Sequence, residues 1–202
     1  MCGIVGFTGN HQAAPILLDG LSKLEYRGYD SAGIAVRDGE GETTVIKAKG
    51  RLKGLSEKTN GGESVPGTCG IGHTRWATHG GVSDVNAHPH RAGRVTLVHN
   101  GIIENYEELK DHFGLADELI SDTDSEVVAA VLNRFYTGDP HEALFQTVKC
   151  LKGTFALVVI FDDIPDVIFA IRNVSPIVAA YREDGTMLAS DVAALGGQAT
   201  SY

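Results

Sequence analysis

The sequence predicts an α+β domain in which sheets and helices stack in layers. The chain has 202 residues, 43% of them hydrophobic, which is enough to bury the core of a single domain. Strand-like segments come first, two capped helices lie in the middle, and four strand-like segments follow. Because strands and helices do not alternate, this order favours stacked layers over a βαβ-wound parallel sheet.

The N-terminal half is predicted to contain strands, a hairpin and two helices. Pro15 suits the first turn of a helix, and leucines recur on one face of the segment that follows it. The predicted elements are a strand at Cys2–Thr8, a helix from Pro15 through Leu24, hairpin strands at Gly33–Asp38 and Thr43–Lys49, a short helix at Leu52–Lys58, and strands at Cys69–His73 and Val95–His99.

Two helix starts are marked in the C-terminal half. Thr123-Asp124-Ser125-Glu126 fits a capping box, and Asp139-Pro140 joins a capping side chain to a first-turn proline. The predicted elements are helices from Thr123 to about Tyr136 and from Asp139 toward Leu151, followed by strands at Thr154–Asp162, Val167–Arg172, Ile177–Arg182 and Thr186–Ser190.

Composition excludes several classes of function. A net charge of −9 disfavours nucleic acid as a partner, because nucleic-acid binding needs a basic face. No apolar run approaches the roughly 18 residues of a membrane span, so no membrane is expected. The first ten residues lack the pattern of a secretory signal. The three cysteines are an odd number with no CxxC pair, which fits a reducing compartment. A cytoplasmic location is therefore expected.

Position 2 holds the most informative side chain. If Met1 is removed, Cys2 carries a thiol and a free α-amine, whose ordinary pKa values of about 8.5 and about 7.7–8.0 lie near neutral pH. A Thr or Cys activated by its own N-terminal amine is an established covalent catalyst. Cys2 is also small, which is the condition under which the initiator methionine is normally removed. Position alone is weak evidence and better fits a small buried residue at the start of a first strand.

Four polar clusters accompany Cys2, each at the end of a predicted element, where functional side chains usually project. They are Tyr26-Arg27-Gly28-Tyr29-Asp30-Ser31-Ala32-Gly33, His73-Thr74-Arg75-Trp76-Ala77-Thr78-His79-Gly80, His99-Asn100-Gly101 and Ser121-Asp122-Thr123-Asp124. In this order, from Cys2 to about Leu195, the chain resembles the glutaminase domain of class II glutamine amidotransferases, which use an N-terminal cysteine nucleophile.

The resemblance is strongest to the glucosamine-6-phosphate synthase branch of that family. Trp76 and the stretch from His99 to Asn105 favour this branch. The alternative is the amidophosphoribosyltransferase branch, which typically has Gln where Tyr29 stands and Tyr where Trp76 stands.

The resemblance implies a fold and a reaction. The expected fold is a four-layer αββα sandwich of the N-terminal-nucleophile hydrolase type. The expected reaction is hydrolysis of the side-chain amide of L-glutamine, with Cys2 as nucleophile and with Asn100 and the Gly101 N–H binding the oxyanion.

The same resemblance assigns residues that bind or support. Arg75 is expected to bind the α-carboxylate of glutamine and Asp124 its α-ammonium, although alone Arg75 fits an ion pair and Asp124 fits the first turn of a helix. Trp76, Thr78 and His79 are expected to cover the substrate. Arg27 and Asp30 are expected to position the Cys2 region.

No cofactor and no metal are expected. The rival interpretation is a metal site, because five histidines lie between His73 and His99 and His88-Pro89-His90 has a spacing found among metal ligands. Neither an HExxH motif nor a cysteine pair supports it. Cys69 and Cys150 are expected to be inert core thiols.

The domain assignment is residues 1–202 as one glutaminase domain, shortened at its C-terminal end and lacking sugar-isomerase domains. Fructose 6-phosphate is therefore expected as a partner only through those missing domains, and the full-length enzyme is expected to be a homo-oligomer. A second rival is an unprocessed or inactive form that retains Met1 and acts only as an interaction domain.

Overall fold

Two antiparallel sheets lie face to face between two layers of helices. The computed structural model describes residues 2–76, 81–196 and 201. The strands are β1 (Gly3–Gly9), β2 (Ser31–Arg37), β3 (Thr43–Lys49), β4 (Cys69–Arg75), β5 (His90–Ala92), β6 (Val95–Ile103), β7 (Gly153–Phe161), β8 (Phe169–Asn173), β9 (Val178–Arg182) and β10 (Gly185–Ala189). The helices are α1 (Ala13–Ser22), α2 (Leu52–Lys58), α3 (Tyr106–Phe113), α4 (Asp124–Phe135) and α5 (Pro140–Cys150), with 3-10 turns at Glu25–Arg27, Asn60–Gly62 and Val192–Ala194.

The first sheet has six strands in the order β3-β2-β4-β1-β10-β9, and the second has four in the order β5-β6-β7-β8. Neighbouring strands are antiparallel in both sheets. The N-terminal strand β1 is central in the six-stranded sheet, paired with β4 on one side and β10 on the other. Strand β1 is thereby held on both sides by main-chain hydrogen bonds.

Three apolar clusters fill the spaces between the layers. One packs α1 and α2 on the six-stranded sheet, and another packs α3, α4 and α5 on the four-stranded sheet. Between the sheets, Ile4 and Ile71 of the first meet Val98 and Val158 of the second. The predicted αββα order of layers is confirmed.

Strand alternation decides which side chains face the space between the sheets. On β4, Ile71 faces the second sheet, so the period of two places His73 and Arg75 on the same side. On β6, Val98 faces the first sheet and Asn100 shares its side, whereas His99 points toward α4, where it contacts Ser125. Residues from opposite sheets therefore meet at one end of the sandwich.

Most predicted elements are confirmed, and the differences have physical causes. The β2–β3 hairpin and the helix Leu52–Lys58 are where the patterns place them. Strand β6 continues to Ile103 because β7 pairs with it as far as Gly153, so Asn100 and Gly101 lie inside a strand and not at its end. Helix α3 and the three-residue strand β5 were not predicted.

Within the described residues, no helix has the length and apolar character needed to cross a lipid bilayer.

Candidate active site

An open pocket lies where β1, β4, β6 and the start of α4 come together. Its lining consists of Cys2, Arg75, Trp76, His88, His99, Gly101, Thr123, Asp124 and Ser125. Five of these were predicted as site residues from the sequence. Strands of both sheets contribute, so the pocket exists only when the two sheets are packed together.

The Cys2 thiol is half-buried against the main chain at the end of β4. The Trp76 N–H donates to Cys2 Sγ at 3.2 Å, and Sγ lies 3.6 Å from the Trp76 carbonyl oxygen. Burial raises the pKa of this thiol, while the Trp76 N–H and the charge of Arg75 act in the opposite direction. Because burial dominates, the resting thiol is protonated at neutral pH and needs a base to become a nucleophile.

Asn100 and Gly101 are placed beside Cys2 by strand β6. Asn100 Nδ2 donates to the Cys2 carbonyl oxygen at 3.1 Å, and the same nitrogen carries a second hydrogen. Gly101 has φ of +134°, and a Cβ there would lie 1.9 Å from the Thr154 carbonyl oxygen. Glycine is therefore the residue that lets the backbone take this path next to the thiol.

Arg75 brings a buried positive charge to the pocket. Its side chain is 4% exposed, and its Nη1 donates to the Gly81 carbonyl oxygen at 3.3 Å. Burial lowers the pKa of this guanidinium, whereas the carboxylates of Asp30 and Asp124 act to raise it. A guanidinium at the pocket wall can bind a carboxylate through two parallel hydrogen bonds.

Asp124 is the first residue of α4, and the helix cap fixes its position. Thr123 accepts the Glu126 N–H at 3.2 Å, as the capping box predicts. Glu126 accepts from the Ile120 and Ser121 N–H groups instead of from the cap residue itself. The Asp124 carboxylate accepts from the Ile103 N–H at 2.9 Å, which ties α4 to β6.

Trp76 lines the pocket and is 48% exposed, with Tyr29 edge-on to its ring at 5.8 Å between centroids. Thr78 and His79, predicted as substrate-covering residues, lie outside the described residues, as does Met1.

Arg27 and Asp30 flank the pocket without lining it. Arg27 forms an ion pair with Asp191, whose carboxylate also caps the 3-10 turn that follows. The Asp30 N–H donates to the Arg75 carbonyl oxygen at 3.1 Å. Both residues thus connect segments around Cys2, and their supporting role stays a prediction.

Four of the lining residues, namely His88, His99, Thr123 and Ser125, were not predicted as residues of the glutaminase site. His99 Nδ1 is 2.9 Å from Ser125 Oγ, a contact between β6 and α4 that no local pattern indicates. The capping box placed Thr123 and Ser125 at a helix start, next to the predicted Asp124. That adjacency was the one signal available for them.

Three of the histidines considered as alternative metal ligands are in ring contact with one another. His73 stacks on His88 at 4.1 Å between centroids, and His90 lies edge-on to His88 at 4.7 Å. Among residues 2–76, 81–196 and 201, no three or more His, Cys, Asp and Glu side chains are arranged to hold a metal ion.

Known sequences resemble this chain over almost its full length. A family profile described as "Glutamine amidotransferase domain" matches residues 74–197. The isomerizing glutamine–fructose-6-phosphate aminotransferase of Thermus thermophilus is 50% identical over 198 residues, covering 96% of this chain and 32% of that protein. The enzyme of the same name from Bacillus subtilis is 48% identical over 199 residues, covering 96% and 33%. The chain spans about a third of the length of these relatives.

Solved structures share the fold. The glutamine phosphoribosylpyrophosphate amidotransferase of B. subtilis, complexed with ADP and GMP, superposes with a TM-score of 0.83 at 26% identity, covering 96% of this chain and 43% of that one. A structure described as the allosteric regulatory enzyme of purine biosynthesis gives a TM-score of 0.81 at 28% identity, with the same coverage.

Proposed function

The chain belongs to the glutamine amidotransferase domain family, and from that premise we propose that it hydrolyses the side-chain amide of L-glutamine through Cys2. The observation that carries the proposal is the pocket itself, where the Cys2 thiol, the Gly101 backbone and the opposite charges of Arg75 and Asp124 share one space. An amide with a zwitterionic amino-acid end fits this combination of groups.

Nucleophilic attack needs a base, since burial keeps the Cys2 thiol protonated. With Met1 removed, the α-amine of Cys2 accepts the thiol proton, directly or through a water, while Sγ attacks the amide carbon. The protonated α-amine then returns this proton to the amide nitrogen of the substrate. Collapse of the tetrahedral intermediate breaks the C–N bond, and the nitrogen leaves as ammonia. Water then hydrolyses the γ-glutamyl thioester, giving glutamate and the free thiol.

The negative oxygen of the intermediate is bound by Asn100 Nδ2 and the Gly101 N–H. Both lie on β6, whose pairing with β7 holds them in place before substrate arrives. A preorganised donor of this kind contributes about 2.7–4 kcal/mol to transition-state stabilisation.

Recognition of glutamine is assigned to the two buried charges. Arg75 binds the α-carboxylate and Asp124 the α-ammonium, which favours a free amino acid over a simple amide. Trp76 and, from the sequence, Thr78 and His79 cover the bound substrate.

The wider reaction belongs to a longer protein. We assign residues 1–202 to the glutaminase part and expect the ammonia to pass to fructose 6-phosphate on sugar-isomerase domains, in a homo-oligomeric enzyme. The identity of 48–50% to fructose-6-phosphate aminotransferases favours this acceptor over the phosphoribosyl acceptor suggested by the structures at 26–28% identity.

A product assay tests the proposal. Purified chain shown by intact mass to lack Met1 is incubated with glutamine, and glutamate and ammonia are measured. We expect equal amounts of both, none from Cys2→Ser, and full activity from the control Cys150→Ser, whose thiol lies on α5 and bonds to Gln146. Added fructose 6-phosphate should yield no amino sugar.

The state of position 1 gives a second test. A sample that retains Met1 is expected to have reduced or no glutaminase activity, because the α-amine then belongs to Met1. Full activity in a sample shown by mass to be entirely Met1-retaining would refute the α-amine as the base.

A further inference from the structure

The His73 side chain connects the six-stranded sheet to the four-stranded sheet, next to the proposed oxyanion donor Asn100. His73 lies on β4, opposite Ile4 of β1 and Gly33 of β2, and is fully buried. Its Nε2 is 3.0 Å from the His99 carbonyl oxygen and 3.0 Å from Asn100 Oδ1. A single ring nitrogen of the six-stranded sheet thus contacts two consecutive residues of the four-stranded sheet.

Both contacts are acceptors, which decides where the ring proton lies. A carbonyl oxygen and an amide oxygen cannot donate, so Nε2 carries the hydrogen and donates to both. Among the described residues, His73 Nδ1 has no hydrogen-bond partner. The hydrogen bonding of the ring is therefore made through Nε2, on the side facing Asn100.

This bond also sets the direction of the Asn100 amide. Because Oδ1 is turned toward His73, Nδ2 must point the other way, where it donates to the Cys2 carbonyl oxygen at 3.1 Å. A flipped amide would place its NH₂ group against the Nε2–H donor of His73 and its oxygen against the Cys2 carbonyl. Both contacts would be repulsive, so the two bonds reinforce one orientation.

The surroundings keep His73 neutral and fixed. Burial lowers the pKa of His73 to about 3, and the His88 ring stacked on it at 4.1 Å restricts its rotation. Burial likewise lowers the pKa of His88 well below its ordinary value. A neutral ring with a defined proton is what a directional hydrogen bond to Asn100 requires.

We propose that His73 is a positioning residue for the oxyanion donor, acting through Asn100 without touching the substrate. Its Nε2–H holds the Asn100 amide with Nδ2 toward Cys2, so that the donor is in place before charge develops. This assignment rests on the proposed glutaminase function, because it concerns the same intermediate.

The test compares His73→Leu with His73→Gln, in the wild-type chain and in Asn100→Ala. Glutamine can present an N–H near the position of Nε2, whereas leucine cannot. With Met1 removed, we expect His73→Leu to lower kcat by about 10- to 100-fold, a large part of the effect of deleting one oxyanion donor. KM for glutamine should change by less than about threefold, because the bond matters in the transition state.

Rescue and coupling separate positioning from folding. We expect His73→Gln to recover kcat to within about fivefold of wild type. In the Asn100→Ala background, His73→Leu should change kcat by less than about twofold, since the residue it positions is gone. Thermal unfolding of each variant, followed by circular dichroism, checks that the chains compared are folded.

The outcomes are distinguishable. If the wild-type chain releases no glutamate, the proposed function fails and this assignment fails with it. If the wild type is active but His73→Leu keeps its kcat, or lowers kcat equally with and without Asn100, the assignment alone is overturned. Should His73→Leu not fold, a folded His73→Gln that is inactive while Asn100→Ala is partly active overturns it as well.

Discussion

At the residue scale, the surroundings of the proposed nucleophile, Cys2, oppose its ionisation. Burial raises the pKa of the Cys2 thiol more than the Trp76 N–H and Arg75 lower it. An adjacent amine can act as the base, because it removes the proton from the Cys2 thiol as the attack occurs.

Alkylation of the Met1-retaining chain tests that description of the thiol. We expect the rate of Cys2 modification by iodoacetamide to rise with pH through a midpoint above about 8.5, the value of an ordinary cysteine. Peptide-level mass spectrometry separates Cys2 from Cys69, whose pKa burial raises to about 11. The urea-unfolded chain is the control and should show the ordinary midpoint. A midpoint for Cys2 that is lower in the folded chain than in the unfolded chain would show that burial does not raise the pKa of this thiol.

How much of the site can be predicted from the sequence depends on how far apart in the chain the contacting residues lie. Cys2, Arg75, Trp76, Gly101 and Asp124 were predicted from ordered motifs, and all line one pocket. The bond between His73 and Asn100 could not be predicted, because it requires two sheets at a particular spacing. The contact of His99 with Ser125 has the same cause, since it joins a strand to a helix 26 residues away.

At the scale of elements, local patterns with a strong physical signal were predicted well. The capping box at Thr123 and the Asp139-Pro140 pair each predict where a helix begins. Helices α4 and α5 do begin directly after Thr123 and Asp139. Helix α3 was missed because it is short and largely charged, with Leu109 as its buried residue. Strand β6 was predicted too short because a glycine such as Gly101 usually indicates the end of a strand. The pairing with β7 continues the strand past Gly101.

Two helix caps allow stability to be separated from function. Thr123 caps α4 at the pocket, and Asp139 caps α5 by accepting from the His141 and Glu142 N–H groups at 2.9 and 3.2 Å. We expect Thr123→Ala and Asp139→Ala each to lower the free energy of unfolding by about 1 kcal/mol. Only Thr123→Ala should also raise KM for glutamine, because its cap positions Asp124.

Urea unfolding and steady-state kinetics on both variants check this expectation. An equal rise in KM for the two would mean that general destabilisation, and not the position of Asp124, controls substrate binding.

The turn between β8 and β9 contains a strained residue. Val174 has φ of +72° and is exposed, in a backbone region that β-branched residues rarely adopt. We expect Val174→Gly to raise the free energy of unfolding by about 0.5–1 kcal/mol, since the relief of about 1–2 kcal/mol exceeds the entropy cost of glycine. The melting temperature should rise by about 1–4 °C.

The control for this change is Val192→Gly, at another exposed valine, in the 3-10 turn Val192–Ala194. That substitution relieves no strain and should lower the melting temperature. Equal shifts in the two variants would show that Val174 is not strained.

At the scale of the whole molecule, the layered fold is what assembles the site. Cys2 precedes β1 and Arg75 ends β4 in one sheet, whereas Asn100 and Gly101 come from β6 in the other. Ile4, Ile71, Val98 and Val158 pack between the sheets and hold these residues at bonding distance. The order of elements predicted layers, but the resemblance to a known family supplied the αββα arrangement, because periodicity does not encode which sheets face each other.

The most direct test of the central claim is intact-mass spectrometry after incubation with 6-diazo-5-oxo-L-norleucine, a glutamine-like electrophile, followed by peptide mapping. We expect a single adduct on Cys2 of the chain lacking Met1, no adduct on the Cys2→Ser variant, and protection of Cys2 by excess glutamine. A folded, Met1-free chain that forms no adduct, or forms it at Cys69 or Cys150, would contradict the claim that Cys2 is the nucleophile of a glutamine pocket.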